Sequence, residues 1–166
     1  VVHNQLAVIV DWHQVWLFQD EQWEKIVDTD WKLQCLCWTG NGQVLVGTNK
    51  ARIAIVENGQ LNFLTSFDQI PERKLWKTPW GGPPDLRSFA ISSDDTLYAN
   101  IHVGWIAQST DNGQSWKNLK DGLEMDVHQV VVDPQNPTIV FTATASGFYY
   151  SRNAGDTFTC TSEDLP

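Results

Sequence analysis

Asp126 and His128 are the residues whose types and spacing best fit proton transfer, because they lie two positions apart in a run with strand character. Side chains at that spacing share one face of a β-strand, so a carboxylate and an imidazole would stand together as an acid–base pair. Asp85, a further carboxylate, is the third candidate for a catalytic role. The alternative is structural, since a histidine at a strand entry more often forms ordinary hydrogen bonds than takes part in catalysis.

A second group of residues has side chains suited to holding a ligand. An arginine can bind an anionic group through two parallel hydrogen bonds, and an indole ring can stack on a sugar ring. The candidate ligand-binding residues are Arg87, His102, His128, Trp76, Trp80, Arg52 and His13. The alternative for the two tryptophans is that their Pro-rich segment fills the central opening of the fold and binds no ligand. The spacing is not typical of a metal site, and we predict neither a metal nor a cofactor.

An internal repeat defines the elements that must position these residues. Residues 89–116 align without a gap with residues 131–158, at a constant offset of 42 positions. A fixed period in this range is typical of stacked supersecondary units. Each copy contains short runs rich in Val, Ile, Phe and Tyr, separated by Gly, Asn, Asp and Pro, and helical periodicity is absent. The sequence therefore predicts an all-β chain of four-stranded antiparallel units.

Two weaker units precede the repeat, and together they make residues 1–166 a single β-propeller segment of about four blades. The approximate blades are 1–30, 31–67, 85–120 and 125–166, and 67–85 is a loop inserted at one rim. The first unit contains only three predicted strands and lacks the innermost one. Propellers close with about four to eight blades, so we expect a partial ring. We expect a second polypeptide to carry the remaining blades or, alternatively, a second copy of the chain to complete the ring.

The two clear copies share a turn whose residues have a structural pattern. A Ser followed two positions later by Asp or Asn can hydrogen-bond the backbone amides of its own turn. A Gly supplies positive φ, and an aromatic ring is buried where the next strand begins. The residues of the two turns are Ser109, Asp111, Gly113 and Trp116, and Ser151, Asn153, Gly155 and Phe158.

The first of these turns resembles the Asp box of sialidase-like β-propellers, also called the bacterial neuraminidase repeat, and the second resembles a degenerate copy. Residues 78–134 are also similar to glycosyl-hydrolase-like propeller proteins that have no established substrate. The resemblance implies a propeller fold. It also implies that an active sialidase would carry an arginine triad and an Arg-Ile-Pro motif. Gln69-Ile70-Pro71 lacks that arginine and Arg152 lies in a box turn, so we do not expect a complete sialidase site.

The propeller fold predicts that most candidate residues meet at one rim. In this fold, the turn after the second strand of a blade and the start of the innermost strand lie on the same face. Two functions remain open for such a rim. One is a noncatalytic binding or assembly module that docks a protein or carbohydrate ligand. The alternative is a carbohydrate-active glycoside hydrolase of the sialidase-like propeller class.

Charge and hydropathy exclude some partners. The formal net charge of −9 argues against binding to nucleic acid, which requires clustered Lys and Arg. No apolar run approaches the length of about 18 residues that a membrane span needs. We interpret the three cysteines as buried, reduced thiols, which favours a reducing compartment such as the cytoplasm.

Overall fold

The computed structural model describes residues 5–161, and β-strands account for most of the regular structure there. The first sheet has three strands, which are β1 (Leu6–Val10), β2 (Gln14–Gln19) and β3 (Gln22–Asp28). The second sheet has four, which are β4 (Leu33–Trp38), β5 (Val44–Thr48), β6 (Ile53–Glu57) and β7 (Gln60–Phe63).

The third and fourth sheets repeat the same arrangement. The third contains β8 (Leu86–Ile91), β9 (Leu97–Ile101), β10 (Ile106–Ser109) and β11 (Lys117–Leu119). The fourth contains β12 (Val127–Val132), β13 (Val140–Thr144), β14 (Phe148–Ser151) and β15 (Thr159–Cys160). Within each sheet, every strand pairs antiparallel with the next along the chain. The all-β propeller of about four blades is confirmed, and the first unit does have three strands within the described residues.

Apolar side chains between consecutive sheets form the core. Val15, Leu33 and Val46 are fully buried between the first and second sheets. Leu86 lies in a second cluster, between the second and third sheets, and Val127 in another, between the third and fourth. β8 packs beside both β4 and β12, so these first strands of the complete blades form a continuous inner row. The inner row therefore sets the distances between the residues that lie at the ends of its strands.

Each strand of the inner row has an irregularity near its first residue. The pairing register shifts between Leu33 and Cys35, between Leu86 and Ser88, and between Val127 and Gln129. The extra residues are therefore Gln34, Arg87 and His128. A β-bulge leaves one residue outside the regular pairing and changes the direction of its side chain. Two of the candidate site residues are thus bulge residues.

The connection between β7 and β8 is a folded segment that contributes to the core. It contains a short α-helix, α1 (Thr65–Asp68), and a 3₁₀-helix (Pro71–Leu75). Phe67, Ile70 and Trp76 are buried in the cluster between the second and third sheets. Among the described residues, no helix is long and apolar enough to cross a membrane.

The cysteines differ in exposure. Cys35 and Cys37 lie on β4 and are partly buried against the core, and the Cys35 thiol donates to the carbonyl of Leu86 at 3.2 Å. Burial raises the pKa of the Cys37 thiol to about 12. Cys160, at the outer strand of the fourth sheet, is exposed. The interpretation of all three as buried thiols was therefore wrong for Cys160, because an outermost strand has no further strand to cover it.

The turn between β10 and β11 is closed by its own side chains. Ser109 Oγ accepts from the Gly113 amide at 2.8 Å, and Asp111 Oδ1 accepts from the Ser115 amide at 2.8 Å. The hydrogen bond from the Ser115 hydroxyl is the main reason that the pKa of Asp111 falls to about 2. The φ of Gly113 is 82°. The turn after β14 repeats these bonds, from the Gly155 amide to Ser151 Oγ at 2.9 Å and from the Thr157 amide to Asn153 Oδ1 at 3.0 Å.

We expect Ser109→Ala to lower the free energy of unfolding by about 1–3 kcal/mol, because the buried Gly113 amide loses its acceptor. Ser151→Ala should do the same in the equivalent turn. Chemical denaturation measures both. Thr110→Ala is the control, since Thr110 is exposed in the same turn. Equal stabilities of the Ser109→Ala and Thr110→Ala proteins would show that the serine does not stabilise the turn.

Candidate functional site

A cluster of polar side chains lies at the rim where the third and fourth sheets meet. Asp126 Oδ1 is 3.3 Å from His102 Nε2 and 3.4 Å from His128 Nε2, and the centroids of the two imidazoles are 6.4 Å apart. His102 belongs to the third sheet and the other two residues to the fourth. One carboxylate oxygen is therefore placed between two imidazoles from different blades.

Backbone hydrogen bonds set the position of this cluster. The His102 amide donates to the carbonyl of Asp85 at 2.9 Å, and the Ala145 amide donates to the carbonyl of Asp126 at 3.0 Å. Both acceptors immediately precede an inner strand, so each rim turn is tied to the first strand of its own blade. Because Arg87 and His128 are the bulge residues two positions after these acceptors, both enter the rim region at equivalent places.

The turn after β9 also bonds to the next blade. The amides of Gly104 and Trp105 both donate to the carbonyl of Met125 at 3.1 Å. Val103 and Trp105 have φ of 53° and 61°, a conformation that is strained for side chains of their size. A β-carbon on Gly104 would lie 2.4 Å from Ile101 Cγ2. Strained backbone persists where surrounding contacts hold it and is frequent at functional sites. These contacts fix His102 relative to Asp126.

Trp80 forms the exposed side of the cluster. Its side chain is 75% exposed, and its ring centroid is 5.7 Å from that of His102. The tight turn that carries it is closed by the Thr78 hydroxyl, which donates to the carbonyl of Gly81 at 2.8 Å. Gly81 has a φ of 86°, which favours glycine. The indole is therefore presented to solvent by a turn with its own hydrogen bonds.

Burial and neighbouring charge determine the protonation of His102, which is only 5% exposed. Desolvation lowers its pKa from the ordinary value of 6.5, and the charge of Arg87 lowers it further, while Asp126 and Asp85 oppose the shift. The imidazole is thus neutral at neutral pH. Asp126 Oδ1 is buried and has no well-aligned hydrogen bond within residues 5–161, although both imidazoles are at contact distance.

The structure brings together Asp126, His128, His102, Trp80, Arg87 and Asp85, but not the other candidates. Arg52 donates to Asp68 Oδ2 through Nε at 2.9 Å and Nη2 at 2.6 Å. His13 Nδ1 lies 3.1 Å from the carbonyls of both Thr29 and Trp31. Arg52 therefore forms its contacts at the rim of the second sheet, and His13 forms its contacts at the rim of the first.

Trp76 requires a correction as a ligand-binding candidate. Its side chain is 5% exposed and packs against Phe67, with ring centroids 5.7 Å apart. The indole face is consequently part of the core and is not presented to a ligand. The prediction that the Trp76 indole binds a ligand is therefore wrong, whereas the Trp80 indole is exposed and its role stays a prediction.

Sequence reasoning missed a group of cations stacked on aromatic rings at the rims of the first two sheets. Lys32 Nζ lies 4.8 Å from the centre of the Trp12 ring, and Lys50 Nζ lies 5.3 Å from that of Trp31. The repeat could have predicted the position of Lys32, because this lysine immediately precedes the inner strand β4, as Asp85 immediately precedes the inner strand β8. Within the described residues, no group of His, Cys, Asp and Glu side chains is arranged to hold a metal ion.

Comparison with known proteins shows similarity at the level of the fold. No protein-family model and no curated protein matches the chain. A structure of YCF48 bound to D1 peptide is similar with a TM-score of 0.67 and 17% identity, over 98% of this chain and 52% of that one. An ancestral GH74 enzyme gives a TM-score of 0.69 and 18% identity, over 95% of this chain and 22% of that one.

A GH74 enzyme from Niastella koreensis is also similar, with a TM-score of 0.67 and 13% identity over 96% of this chain and 28% of that one. The chain thus spans about half the length of the YCF48 structure and about a quarter of the GH74 enzymes. At these identities the likeness shows the fold alone. The chain has the glycosyl-hydrolase-like β-propeller fold that both kinds of protein share.

We expect Arg87→Gln to raise the pKa of His102, because it removes a nearby positive charge, and Asp126→Asn to lower it further. Titration of the imidazole signals by NMR measures both shifts. Because folding lowers this pKa, the unfolded chain binds the proton more readily, so the contribution of His102 to stability is lost as the pH falls below 6.5. Arg152→Gln is the control. An unchanged His102 titration in Arg87→Gln would contradict the electrostatic link.

Proposed function

We propose that the protein is a noncatalytic binding module that docks an extended segment of another protein at the rim of its third and fourth blades. The observation that carries the proposal is the placement of an exposed indole, Trp80, directly beside a buried imidazole whose position is fixed by two blades. Large exposed aromatic rings on fixed turns are typical anchors of protein interfaces.

The side chains around Trp80 match the groups of a peptide. The indole offers a flat apolar face for a partner side chain. Arg87 is exposed and can donate two parallel hydrogen bonds to a carboxylate or to backbone carbonyls. His128, whose side chain is 45% exposed, offers a further polar contact beside Asp126. YCF48, which has the same fold, has been solved with a bound peptide, and this supports a peptide rather than a small molecule as the ligand.

The proposal is tested with a phage-displayed library of random peptides selected on the purified chain. We expect a recurring motif, and we expect Trp80→Ala to weaken binding of the selected peptides by about tenfold or more, as loss of an aromatic anchor does. Trp23→Ala is the matched control, because Trp23 is also an exposed tryptophan but lies on the first sheet. The proposal fails if no motif emerges or if both variants bind the selected peptides equally.

A glycoside hydrolase is the second candidate, and the contact of Asp126 with two imidazoles is the observation in its favour. Glycoside hydrolysis typically requires two carboxyl groups about 5–9.5 Å apart, and Asp85 is the sequence-predicted candidate for the second. Incubation with xyloglucan and β-glucan oligosaccharides distinguishes the two functions. Hydrolysis that is lost in Asp126→Asn but retained in Trp80→Ala would replace the binding proposal with an enzymatic one.

A further inference from the structure

Three asparagines of the chain are followed directly by glycine, and they are Asn41, Asn58 and Asn112. The first lies in the turn between β4 and β5, the second in the turn between β6 and β7, and the third in the turn between β10 and β11. A glycine has no β-carbon, so its amide nitrogen can approach the side-chain carbonyl carbon of the preceding asparagine. The three pairs share this reactive sequence and differ only in their surroundings.

Hydrogen bonds restrain the first and the third of these pairs. The Gly42 amide donates to the carbonyl of Thr39 at 2.9 Å, and both polar atoms of the Asn41 side chain are hydrogen-bonded. The Gly113 amide is buried and donates to Ser109 Oγ at 2.8 Å. An amide nitrogen engaged in this way must lose a hydrogen bond before it can react, which costs free energy.

The pair that begins at Asn58 has none of these restraints. Both Asn58 and Gly59 are exposed, and within residues 5–161 neither the Gly59 amide nor the Asn58 side chain forms a hydrogen bond. A β-carbon placed on Gly59 would have no atom within 4 Å, so the space around it is open. Their φ angles of 52° and 77° are typical of the two-residue hairpin turn that Asn-Gly favours. The pairing of Glu57 with Gln60 closes this hairpin and leaves the Gly59 amide unused.

We propose that Asn58 is a site of spontaneous deamidation in the folded protein, and that Asn41 and Asn112 are protected from the same reaction. The Gly59 nitrogen loses its proton to solvent and bonds to Asn58 Cγ, and the bond from Cγ to the side-chain nitrogen breaks to release ammonia. The product is a cyclic succinimide. Water then adds to either carbonyl carbon of the ring and opens it, which leaves aspartate or isoaspartate. Water is the co-reactant, and nothing is oxidised or reduced.

The reaction changes both charge and backbone at the outer hairpin of the second blade. Either product places a carboxylate where a neutral amide stood. An open cavity of 380 Å³ at this hairpin is lined by Asn58 together with Glu24, Lys25 and Glu57. Because Lys25 already pairs with Asp28 at 2.6 Å, the new carboxylate joins two others without gaining an unpaired cation among the lining residues. Isoaspartate also lengthens the main chain inside a two-residue turn, so we expect it to disturb the pairing of β6 with β7.

The test incubates the purified chain in mildly alkaline buffer made with ¹⁸O-labelled water, and peptide mapping by mass spectrometry follows the label. Ring opening in this water marks only the residues that react during the incubation. We expect residue 58 to take up label about tenfold faster than residues 41 and 112, because one hydrogen bond to be broken is enough for a difference of this size. The same incubation in guanidinium chloride is the control. The three rates should converge there, since the unfolded chain lacks the protecting hydrogen bonds.

Ser109→Ala is the matched variant, because it removes the acceptor of the Gly113 amide. We expect it to accelerate labelling at residue 112 and to leave residue 58 unchanged. The proposal is overturned if residue 58 of the folded chain reacts no faster than the other two asparagines. It is also overturned if the difference persists in guanidinium chloride, because the local sequence and not the fold would then select the site.

Discussion

The packing of one sheet against the next is the interaction on which the rest of the structure depends. Within residues 5–161 no sheet is covered by helices on both faces, so each sheet buries its apolar surface chiefly against its neighbours. Burial of apolar area is the main favourable term in folding. The cluster that contains Leu86 joins the second and third sheets, and the cluster around Val127 joins the third and fourth. Because His102 and Asp126 belong to different sheets, their 3.3 Å contact depends on that packing and on the backbone hydrogen bonds between the two blades.

The sequence predicted the sheets well because the repeat marks the same turns in successive units. The offset of 42 residues holds for the third strands and the turns that follow them, whereas the inner strands begin 41 residues apart and the second strands 43 residues apart. The grouping of His102, Asp126 and His128 followed from the same equivalence. What the repeat does not contain was harder to predict. The segment between β7 and β8 occurs once, and nothing local in its sequence shows that Trp76 packs inward while Trp80 faces solvent.

Pairing between distant residues was the other property that sequence could not supply. Arg52 was a candidate for binding a ligand, but its guanidinium is held by Asp68 on α1. Arg73 adds a second guanidinium at 3.5 Å from the other oxygen of the same carboxylate. Such a network depends on how a short helix returns to the sheet, and strand periodicity carries no information about it. Half-buried charges are usually paired, which the types of residue alone do not reveal.

Near the start of each inner strand, a core residue that stabilises the fold is followed directly by a bulge residue that determines the chemistry of the rim. Leu33, Leu86 and Val127 hold the inner row together and are fully buried, whereas the residues that follow them are Gln34, Arg87 and His128. A neutral amide, a guanidinium and an imidazole thus occupy equivalent positions on one scaffold. Single substitutions at these three bulge positions can therefore change the chemistry of the rim one blade at a time, in evolution or by design. The adjoining core residues stay the same.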